Sequence, residues 1–335
     1  MLVPFDEVKP LVRAVLDGCG TPAAAAGLQA EILLEAELRG LPSHGLHRLP
    51  RLVRRIHQGL ADPGATGEQV WQRPGFMSVE GCRGLGPVVG AAAIDALAPA
   101  ARHNGIAIAA VRNSNHLGML AWYAERIAAL GLIGIVLSTS EALVHPFGGR
   151  RAMLGTNPIA IGVPMPAAEP FVLDLATSTV SMGKIHDHAL KRRAIPEDWA
   201  LDADGEPTTD PKEAMRGSLA PFGGAKGYGL GLAFELLVAS LAGSAFAPDV
   251  RGTLDAEHPC NKGDVFILVE PLSGSGHAVA DYLAALRSSP STSPATPVGI
   301  PGDGSRARRR AALTRGIEIA DAVWDQLTSL AGAPA

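Results

Sequence analysis

Short apolar runs bounded by turn residues recur along the chain and alternate with stretches of helical periodicity. Five of these runs have the length of a strand and are rich in isoleucine, valine or leucine; they begin at Gly105, Leu132, Ile159, Phe171 and Val265. Continuous apolar runs of this length are typical of strands that are covered on both faces. Helical patterns lie between them, notably at residues 120–131 and 227–243. The alternation predicts an α/β or α+β fold.

The N-terminal part of the chain carries helix signals. Residues 1–18 have the pattern of an amphipathic helix. A second helix is predicted with Thr21 as its N-cap, Pro22 at its first position and Gly40 just past its end.

A third helix is predicted over residues 46–59. Its apolar face comprises Leu46, Leu49, Val53 and Ile56. Arg51, Arg54 and Arg55 fall elsewhere on the same helix. Pro50 is compatible with this helix only within its first turn.

The C-terminal part contains the one low-complexity passage of the chain. Residues 287–304 are rich in serine, proline and threonine, which favours an extended linker. Helical character returns after it, and the basic cluster at 306–310 is predicted to be a solvated helix face.

Composition narrows the class of protein. At 335 residues and 47% hydrophobic residues, the chain can form roughly two domains. A formal charge of -4 gives no reason to expect nucleic acid or an anionic membrane as partner. Three widely spaced cysteines form no C-x-x-C pair, which favours a cytoplasmic protein with reduced thiols. Acidic residues in the first helix argue against a secretion signal. The sequence has no uncharged apolar stretch of about 18 residues, so we predict no membrane span.

The glycine-rich motifs do not match the standard nucleotide-binding patterns. Residues 84–90 (GLGPVVG) have three residues instead of two before the last glycine, and Gly183-Lys184 lacks the context of a P-loop. The segment around Lys226 (PFGGAKGYG) places glycines and a cation before a long apolar helix. It is either a phosphate-binding helix start or a glycine-rich packing turn.

Histidines mark two candidate sites. His116 in NSNHLG follows a buried strand, and its position alone favours a structural role. In SHGLHR, His44 or His47 could give a proton while Arg48 binds a carboxylate, or Ser43 could merely cap a helix. Metal binding by His44 and His47, or by His186 and His188, lacks a completing glutamate or cysteine, so we predict no metal.

Several motifs in the same order resemble those of the type-2 malate/L-lactate dehydrogenase family. They are SHGLHRLP, NSNHLG, PFGG, GTNPIAIGVP, LDLATSTVSMGKI, IPEDWALDADGEPTTDP, GGAKGYGLGLAFELL and IPGDG, and they span nearly the whole chain. The family includes ureidoglycolate and sulfolactate dehydrogenases, diketogulonate reductase and reductases of piperideine- or pyrroline-2-carboxylate.

The resemblance implies a specific organisation of the α/β fold. It implies a non-Rossmann nicotinamide-binding domain, assigned to residues 119–290. Residues 1–118 and 291–335 would form a discontinuous second domain for substrate binding and dimerisation. A homodimer is implied as well.

The resemblance also implies roles for individual residues. His44 and His116 would lie at the active site, with one or the other moving the proton, and Arg48 would hold the substrate carboxylate. The cofactor, NAD or NADP, would contact a set of residues spread over four segments: Ser140, Asp174, Leu175, Ala176, Lys226, Gly302 and Asp303. Asp303 departs from the family pattern, which commonly has glutamate there.

The expected activity is the NAD(P)H-dependent interconversion of a small 2-oxo acid and its 2-hydroxy acid, with histidine as proton donor or acceptor. The alternative within the family is reduction of a cyclic imine 2-carboxylate, which presents the same carboxylate beside an sp2 carbon. Two lower alternatives are a metal-dependent hydrolase built on His44, His47 and His186, and a noncatalytic nucleotide-binding protein.

Overall fold

The computed structural model describes residues 1–166, 168–293 and 297–332. The helices of this described part are α1 (Phe5–Gly18), α2 (Ala23–Leu38), α3 (Leu49–His57), α4 (Gly86–Asn104), α5 (Leu120–Ala129), α6 (Met182–Leu190), α7 (Pro211–Ala214), α8 (Ala225–Ala242), α9 (Ser275–Ser288), α10 (Asp303–Arg315) and α11 (Asp321–Gly332). Short 3-10 helices occupy Pro42–His44, Leu46–Arg48 and Ala247–Asp249.

The strands are β1 (Leu2–Val3), β2 (Glu68–Arg73), β3 (Phe76–Glu80), β4 (Ile106–Arg112), β5 (Ile133–Ser138), β6 (Ile159–Val163), β7 (Phe171–Leu175), β8 (Ala200–Leu201), β9 (Ser218–Leu219), β10 (Gly263–Val269) and β11 (Ile317–Glu318). The five predicted apolar runs form β4, β5, β6, β7 and β10, which confirms those predictions.

One seven-stranded mixed sheet forms the centre of the molecule. Its strand order is β2-β3-β4-β10-β5-β6-β7. Only β3 and β4 run parallel; the other neighbouring pairs are antiparallel. The chain is therefore an α/β protein with a mixed sheet.

Helices cover both faces of this sheet, which explains why its central strands are apolar on both sides. On β10, Phe266 and Leu268 join the core beneath α4 and α5. Val265 and Ile267 of the same strand face the opposite way and pack with Val238 of α8. Successive side chains of a strand point to opposite faces, so one strand contributes to two cores.

A second core joins the N- and C-terminal segments. Helices α1, α2 and α11 pack around apolar residues that include Val8, Leu33 and Leu327, and β1 pairs with β11. Gly40 has a φ of +71° past the end of α2, as its predicted position requires. The predicted start was wrong by one residue: Pro22 is the N-cap, no side chain caps this helix, and the buried Thr21 hydroxyl has no hydrogen-bond partner.

Helix α3 has its proline in the first turn, as predicted. Its residue Arg55, however, is only 4% exposed, although the apolar pattern placed it away from the buried face. The reason is that Arg55 finds four hydrogen-bond acceptors in the interior: Asn115 Oδ1 and the carbonyl oxygens of Leu60, Asp255 and His258.

The basic cluster of α10 is also less solvated than predicted. Arg309 binds the Glu35 carboxylate, and Arg308 Nε donates to the carbonyl of Arg39 at 2.6 Å. Arg306 is 9% exposed and donates to the carbonyl of Pro170. These arginines fasten α10 to α2 and to the segment before β7. The prediction of a solvated face is therefore wrong for Arg306 and confirmed for Arg308 and Arg310, which are exposed.

The predicted linker is partly helical at its ends. Arg287 and Ser288 belong to α9, and α10 begins at Asp303. Residues 289–293 and 297–302 contain no helix or regular strand, as predicted, while 294–296 lie outside the described residues.

Helix α8 is the one helix, among the described residues, that is long and apolar enough to cross a membrane by length and composition. Only 28% of it is buried. It contains the buried Glu235, whose carboxylate accepts hydrogen bonds from Asn157 Nδ2 and from the backbone of Gly155 and Ala247. A single helix of this kind is weak support for a membrane span, since the core helix of a globular protein has the same composition.

Close packing of α5 on β6 gives a test of the fold. A Cβ atom at Gly162 would overlap the backbone carbonyl of Ala124, whereas one at Gly229 of α8 meets nothing within 4 Å. We expect Gly162→Ala to lower the free energy of unfolding by about 1–3 kcal/mol through overpacking. Gly229→Ala should leave it unchanged or raise it by up to about 1 kcal/mol. Equal unfolding midpoints for the two variants in denaturant would contradict this packing.

Candidate active site

The SHG segment is held in place by a buried carboxylate from α2. Glu37 is 8% exposed, and its Oε1 accepts a hydrogen bond from the backbone of Leu46 at 2.7 Å. A Cβ atom at Gly45 would collide with the Glu37 carboxylate, so only glycine fits between them. Burial raises the pKa of Glu37 to about 7, although the Leu46 hydrogen bond opposes the rise. Sequence reasoning missed Glu37, which looks like an ordinary polar residue of a helix.

This anchored segment presents His44 to a pocket. The Oγ of Ser43 lies 3.0 Å from His44 Nδ1, so a hydroxyl orients the ring. A hydroxyl can donate or accept, and the contact is therefore compatible with a neutral or a protonated imidazole. The ring centroids of His44 and His116 are 5.7 Å apart. Two histidines that the sequence separates by 72 positions thus meet in one place.

His116 is fixed differently, through its backbone and one ring nitrogen. The backbone N–H of Gly118 donates to His116 Nδ1 at 2.8 Å. Because Nδ1 accepts this hydrogen bond, the neutral ring carries its hydrogen on Nε2. A Cβ atom at Gly86 would overlap the carbonyl of His116, so the start of α4 packs directly against this loop. His116 lines the pocket, and the N–H of its Nε2 is the donor that the ring can offer there.

A buried pair positions the loop that carries His116. Arg55 Nε donates to Asn115 Oδ1 at 2.9 Å, and Asn115 Nδ2 donates to the carbonyl of Arg83 at 2.6 Å. Neither residue was predicted to have this role. The only signal in the sequence was the asparagine within the NSNHLG motif itself.

Arg48 lies beside His44 and is held by backbone carbonyls. Its Nε donates to Ser43 at 2.6 Å, and its Nη1 donates to Thr253 at 3.3 Å. The Thr253 loop is in turn fixed by Glu141, whose Oε1 accepts from the Thr253 backbone at 2.8 Å. Burial and the neighbouring Arg51 lower the pKa of Arg48 to about 10, which still leaves it charged at neutral pH. The guanidinium retains N–H groups for an anion.

The same surroundings keep both histidines neutral. Burial, followed by the charge of Arg48, lowers the pKa of His44 to about 3. Burial also holds the pKa of His116 well below its ordinary value, with Arg48 and His44 adding to the effect. Two neutral imidazoles therefore lie beside a permanent cation.

The predicted catalytic and substrate residues are brought together in this pocket. It lies between α2, α3, the NSNHLG loop and the 252–253 loop. Its lining residues include no aspartate or glutamate; they are Gln29, Ile32, Leu33, His44, Arg48, Arg51, Leu52, Arg55, Asn115, His116, Gly118, Gly252 and Thr253.

The histidines considered for a metal lie partly near one another. His47 is exposed and close enough to His186 of α6 for their charges to interact, and His188 follows on the same helix. Within the described residues, no group of three or more histidine, cysteine or acidic side chains could hold a metal ion.

The segments that carry the predicted cofactor residues Ser140 and Ala176 are joined by hydrogen bonds to Thr156. Ser140 Oγ accepts a hydrogen bond from the backbone of Thr156 at 3.1 Å. Thr177, directly after Ala176, donates to the carbonyl of Thr156 through its hydroxyl at 3.0 Å. A Cβ atom at Gly231 of α8 would lie 2.8 Å from that hydroxyl. The segments of Ser140, Ala176 and α8 therefore converge.

Asp174 and Leu175 are the last residues of β7. Asp174 Oδ2 accepts a hydrogen bond from the backbone of Ala121 at 2.7 Å, which ties β7 to the first turn of α5. Leu175 pairs with Ile159 of β6.

Lys226 lies in the first turn of α8 and is exposed. The preceding Gly223 and Gly224 have φ of 58° and 63°, conformations that favour glycine. No side chain caps this helix start. The N-terminal N–H groups and the lysine are thus available to a phosphate.

Gly302 and Asp303 lie at the start of α10. Gly302 has a φ of 94°, and a Cβ atom there would lie 3.0 Å from the carbonyl of Val172 in β7. Asp303 forms two hydrogen bonds with Arg287, at 3.0 and 3.1 Å, and this partner lowers the pKa of its carboxyl. The shorter carboxylate at this position is therefore engaged by an arginine of α9.

The family model described as malate/L-lactate dehydrogenase matches residues 3–328. The chain belongs to the malate/L-lactate dehydrogenase family. It is therefore an oxidoreductase, as the resemblance of its motifs implied.

Three relatives illustrate the breadth of this family. L-sulfolactate dehydrogenase of Methanocaldococcus jannaschii is 38% identical over 271 residues, which is 81% of this chain and 78% of the relative. Delta(1)-pyrroline-2-carboxylate reductase 1 of Burkholderia ambifaria is 34% identical over 98% of this chain and 97% of its own. The crystal structure of a dehydrogenase from Sinorhizobium meliloti superposes with a TM-score of 0.96, at 58% identity and 99% and 98% coverage of the two chains.

The raised pKa of Glu37 predicts a pH-dependent stability. An unfolded carboxyl titrates near 4.5, so between about pH 4.5 and 7 the folded state keeps a proton that the unfolded state has lost. Stability therefore decreases as the pH rises through this window. We expect Glu37→Gln to show a smaller decrease in urea unfolding between pH 5 and 7, since its amide does not titrate. Parallel pH dependences in wild type and variant would contradict the assignment.

Proposed function

We propose that the protein is an NAD(P)H-dependent oxidoreductase that interconverts a small 2-oxo acid and its 2-hydroxy acid. The observation that carries this proposal is the meeting of His44, His116 and Arg48 in one pocket without an acidic lining residue. The reaction needs a grip on the substrate carboxylate and a proton at the adjacent oxygen, and these side chains provide both.

The nicotinamide cofactor would supply the hydride when bound. The residues fit such a cofactor, because α8 starts without a side-chain cap and carries the exposed Lys226 in its first turn. Positive helix ends and lysine suit the phosphates of a dinucleotide. Ser140, Asp174, Leu175 and Ala176 would hold the remainder, with Gly302 and Asp303 contributing from the start of α10.

The two histidines take different roles in this proposal. His116 accepts from Gly118 through Nδ1, so its Nε2–H can donate a hydrogen bond to the substrate oxygen, but the neutral ring does not release that proton near neutral pH. His44 contacts only a hydroxyl through Nδ1 and can exist in both protonation states. We therefore assign proton transfer to His44 and polarisation of the substrate oxygen to His116.

Substrate charge completes the acid–base system. Burial, and after it the charge of Arg48, lowers the pKa of His44 to about 3 in the free pocket. A bound carboxylate beside Arg48 offsets that positive charge and favours the protonated imidazole. In the direction of oxidation, the neutral His44 accepts the proton of the substrate hydroxyl. The same side chain can therefore serve both directions of the reaction.

The organisation of the chain is proposed along the same lines. We propose a non-Rossmann cofactor-binding domain at 119–290 and a second domain formed by 1–118 and 291–335. The sheet supports the first part, since its neighbouring strands are antiparallel except for one pair, whereas a Rossmann sheet is mostly parallel. Strands of both residue ranges belong to the same sheet. The two proposed domains therefore differ in function but are not structurally separate.

We further propose a homodimer in the cytoplasm. Helix α8 exposes large apolar side chains at Leu230, Leu236 and Leu237, which a second copy could cover. The free thiols of Cys19, Cys82 and Cys260 accord with a reducing compartment.

Reduction of a cyclic imine 2-carboxylate is the alternative activity. The similarity to the Burkholderia ambifaria reductase extends over nearly both full chains. Arg48 could grip the same carboxylate, and His44 could deliver its proton to nitrogen in place of oxygen.

Paired substitutions at the two histidines test the assigned roles. An amide donates a hydrogen bond but does not exchange a proton at neutral pH. We therefore expect His44→Ala and His44→Gln to lower kcat equally, by at least about 100-fold. His116→Ala should lower kcat by a similar factor, and His116→Gln should recover about tenfold of it.

Steady-state kinetics with oxaloacetate and reduced nicotinamide cofactor provide the measurement. If His44→Gln, and not His116→Gln, had a higher kcat than the alanine variant at the same position, the two roles would have to be exchanged. An unchanged kcat in all four variants would exclude the histidines from the mechanism.

A further inference from the structure

A lysine and an aspartate form an ion pair inside the protein, and the proposed mechanism uses neither of them. Lys262 is 1% exposed and Asp264 is fully buried. The lysine Nζ donates a hydrogen bond to Asp264 Oδ1. Asp264 is the second residue of β10, and Lys262 directly precedes that strand. The pair therefore belongs to the central sheet and not to the surface.

The pair lies at the end of the sheet from which two loops of the candidate site leave. Strand β10 lies between β4 and β5, and Asp264 is opposite Ser138, the last residue of β5. Strand β4 leads into the loop that carries His116, and β5 leads into the segment that carries Ser140. The ion pair thus lies between the histidine loop and a segment predicted to bind the cofactor.

Each carboxylate oxygen of Asp264 is directed to one of these segments. Its Oδ2 accepts a hydrogen bond from the hydroxyl of Ser114, two residues before His116, at 3.1 Å. Its Oδ1 accepts one from the hydroxyl of Ser138, two residues before Ser140, at 2.6 Å. Both serines are buried. One carboxylate therefore connects the histidine loop with the cofactor segment.

Lys262 supplies the positive charge that a buried carboxylate requires. Its Nζ also lies 3.5 Å from the Ser138 hydroxyl, so it contacts two members of the same network. The charge of Lys262 contributes, after burial and two other side chains, to the lowered pKa of His116. The ion pair is therefore close enough to the catalytic ring to influence it.

A contribution to stability does not by itself explain an ion pair at this place. Two desolvated charges often stabilise a protein less than apolar side chains of similar volume would. Alternation along β10 places Asp264 on the face of Phe266 and Leu268, which belong to an apolar core. Apolar side chains would suit these surroundings, but they could not accept hydrogen bonds from Ser114 and Ser138. The ion pair adds a directed connection between two loops.

We propose that Asp264 and Lys262 are positioning residues for hydride transfer, and that the carboxylate sets the separation between the substrate oxygen at His116 and the nicotinamide at the Ser140 segment. The inference rests on the proposed function, which brings substrate and cofactor to these two loops. Neither residue of the pair lines the pocket, so both act through the serines. A displacement of about 1 Å between reacting groups can lower a rate by about 100-fold.

Two double variants separate this role from a contribution to stability. Lys262→Met/Asp264→Leu removes both charges and the acceptor of the serine hydroxyls. Lys262→Met/Asp264→Asn removes both charges but keeps an amide oxygen that accepts a hydrogen bond. Neither variant leaves a buried charge without a partner, so we expect both to fold, and thermal unfolding verifies this.

Single-turnover oxidation of the reduced cofactor by oxaloacetate measures the transfer step in each folded variant. We expect the leucine variant to lower its rate by roughly 10- to 100-fold and the asparagine variant to stay within about fivefold of wild type. The Kd of the reduced cofactor, from fluorescence titration, should change by less than about threefold, since the pair positions bound ligands and does not contact them. A purely structural role would lower the unfolding temperature without this split between rate and affinity.

Glu35→Gln is the matched control. Glu35 forms a largely buried ion pair with Arg39 of the α2 C-terminus and with Arg309 of α10, and it does not line the pocket. This substitution should lower the unfolding temperature and leave the single-turnover rate unchanged.

Hydrogen–deuterium exchange of the free protein tests the connection without any turnover. Segments 113–118 and 138–141 should exchange faster in the leucine variant than in wild type, and not in the asparagine variant or Glu35→Gln. That result supports the connection between the loops even where no substrate is turned over, whereas an inactive wild type would contradict only the proposed function. Unchanged exchange, an unchanged single-turnover rate in the leucine variant, or equal losses of rate in both double variants would overturn the role of the pair and leave the oxidoreductase proposal standing.

Discussion

Positive charge gathered beside a buried pocket is the constraint on which this structure depends. Arg48, Arg51 and Arg55 line a space in which no lining residue carries a carboxylate. Backbone carbonyls from Ser43 and from the 253–258 loop stabilise two of these groups without neutralising them. The pocket therefore keeps a positive potential, which suits an anion. Burial first, and the charge of Arg48 second, lower the pKa of both histidines and keep them neutral.

The surrounding fold fixes the segments that carry the pocket side chains, so these side chains stay close to one another. Glu37 fixes the SHG turn, Glu141 fixes the Thr253 loop, and the start of α4 packs against the backbone of His116. Each contact is made by a carboxylate accepting backbone N–H groups or by a glycine that admits a neighbouring chain. Such contacts leave little freedom to the His44 and His116 rings, which is the condition for proton transfer between fixed partners.

The central strands could be predicted from the sequence because each of them has a local signal. Runs such as 132–138 are apolar throughout, and the strands they form are covered on both faces. Strand β2 was not predicted, since all six of its residues are exposed and no apolar run marks it. The order of the strands in the sheet depends on pairings between distant segments and had no local signal. The family resemblance, and not periodicity, reversed the structural interpretation of His116.

The supporting residues could not be predicted for a related reason. Arg55 meets Asn115 across 60 positions, and Thr253 meets Glu141 across 112. In the sequence these are ordinary polar residues; only the tertiary structure gives them a partner. Arg51 and Arg54 look equivalent along the chain, yet one lines the pocket and the other is exposed. The difference depends on the rotation of α3 about its own axis. The pattern of its apolar residues does not define that rotation closely enough to separate the two arginines.

The most direct measurement is the loss of reduced-nicotinamide absorbance with the purified protein, using NADH and NADPH separately. Pyruvate, oxaloacetate and sulfopyruvate would be compared with piperideine-2-carboxylate and pyrroline-2-carboxylate. We expect faster turnover of a 2-oxo acid than of either imine with at least one cofactor. Faster turnover of an imine would make the protein an imine reductase, and no turnover of any compound with either cofactor would contradict the proposed chemistry.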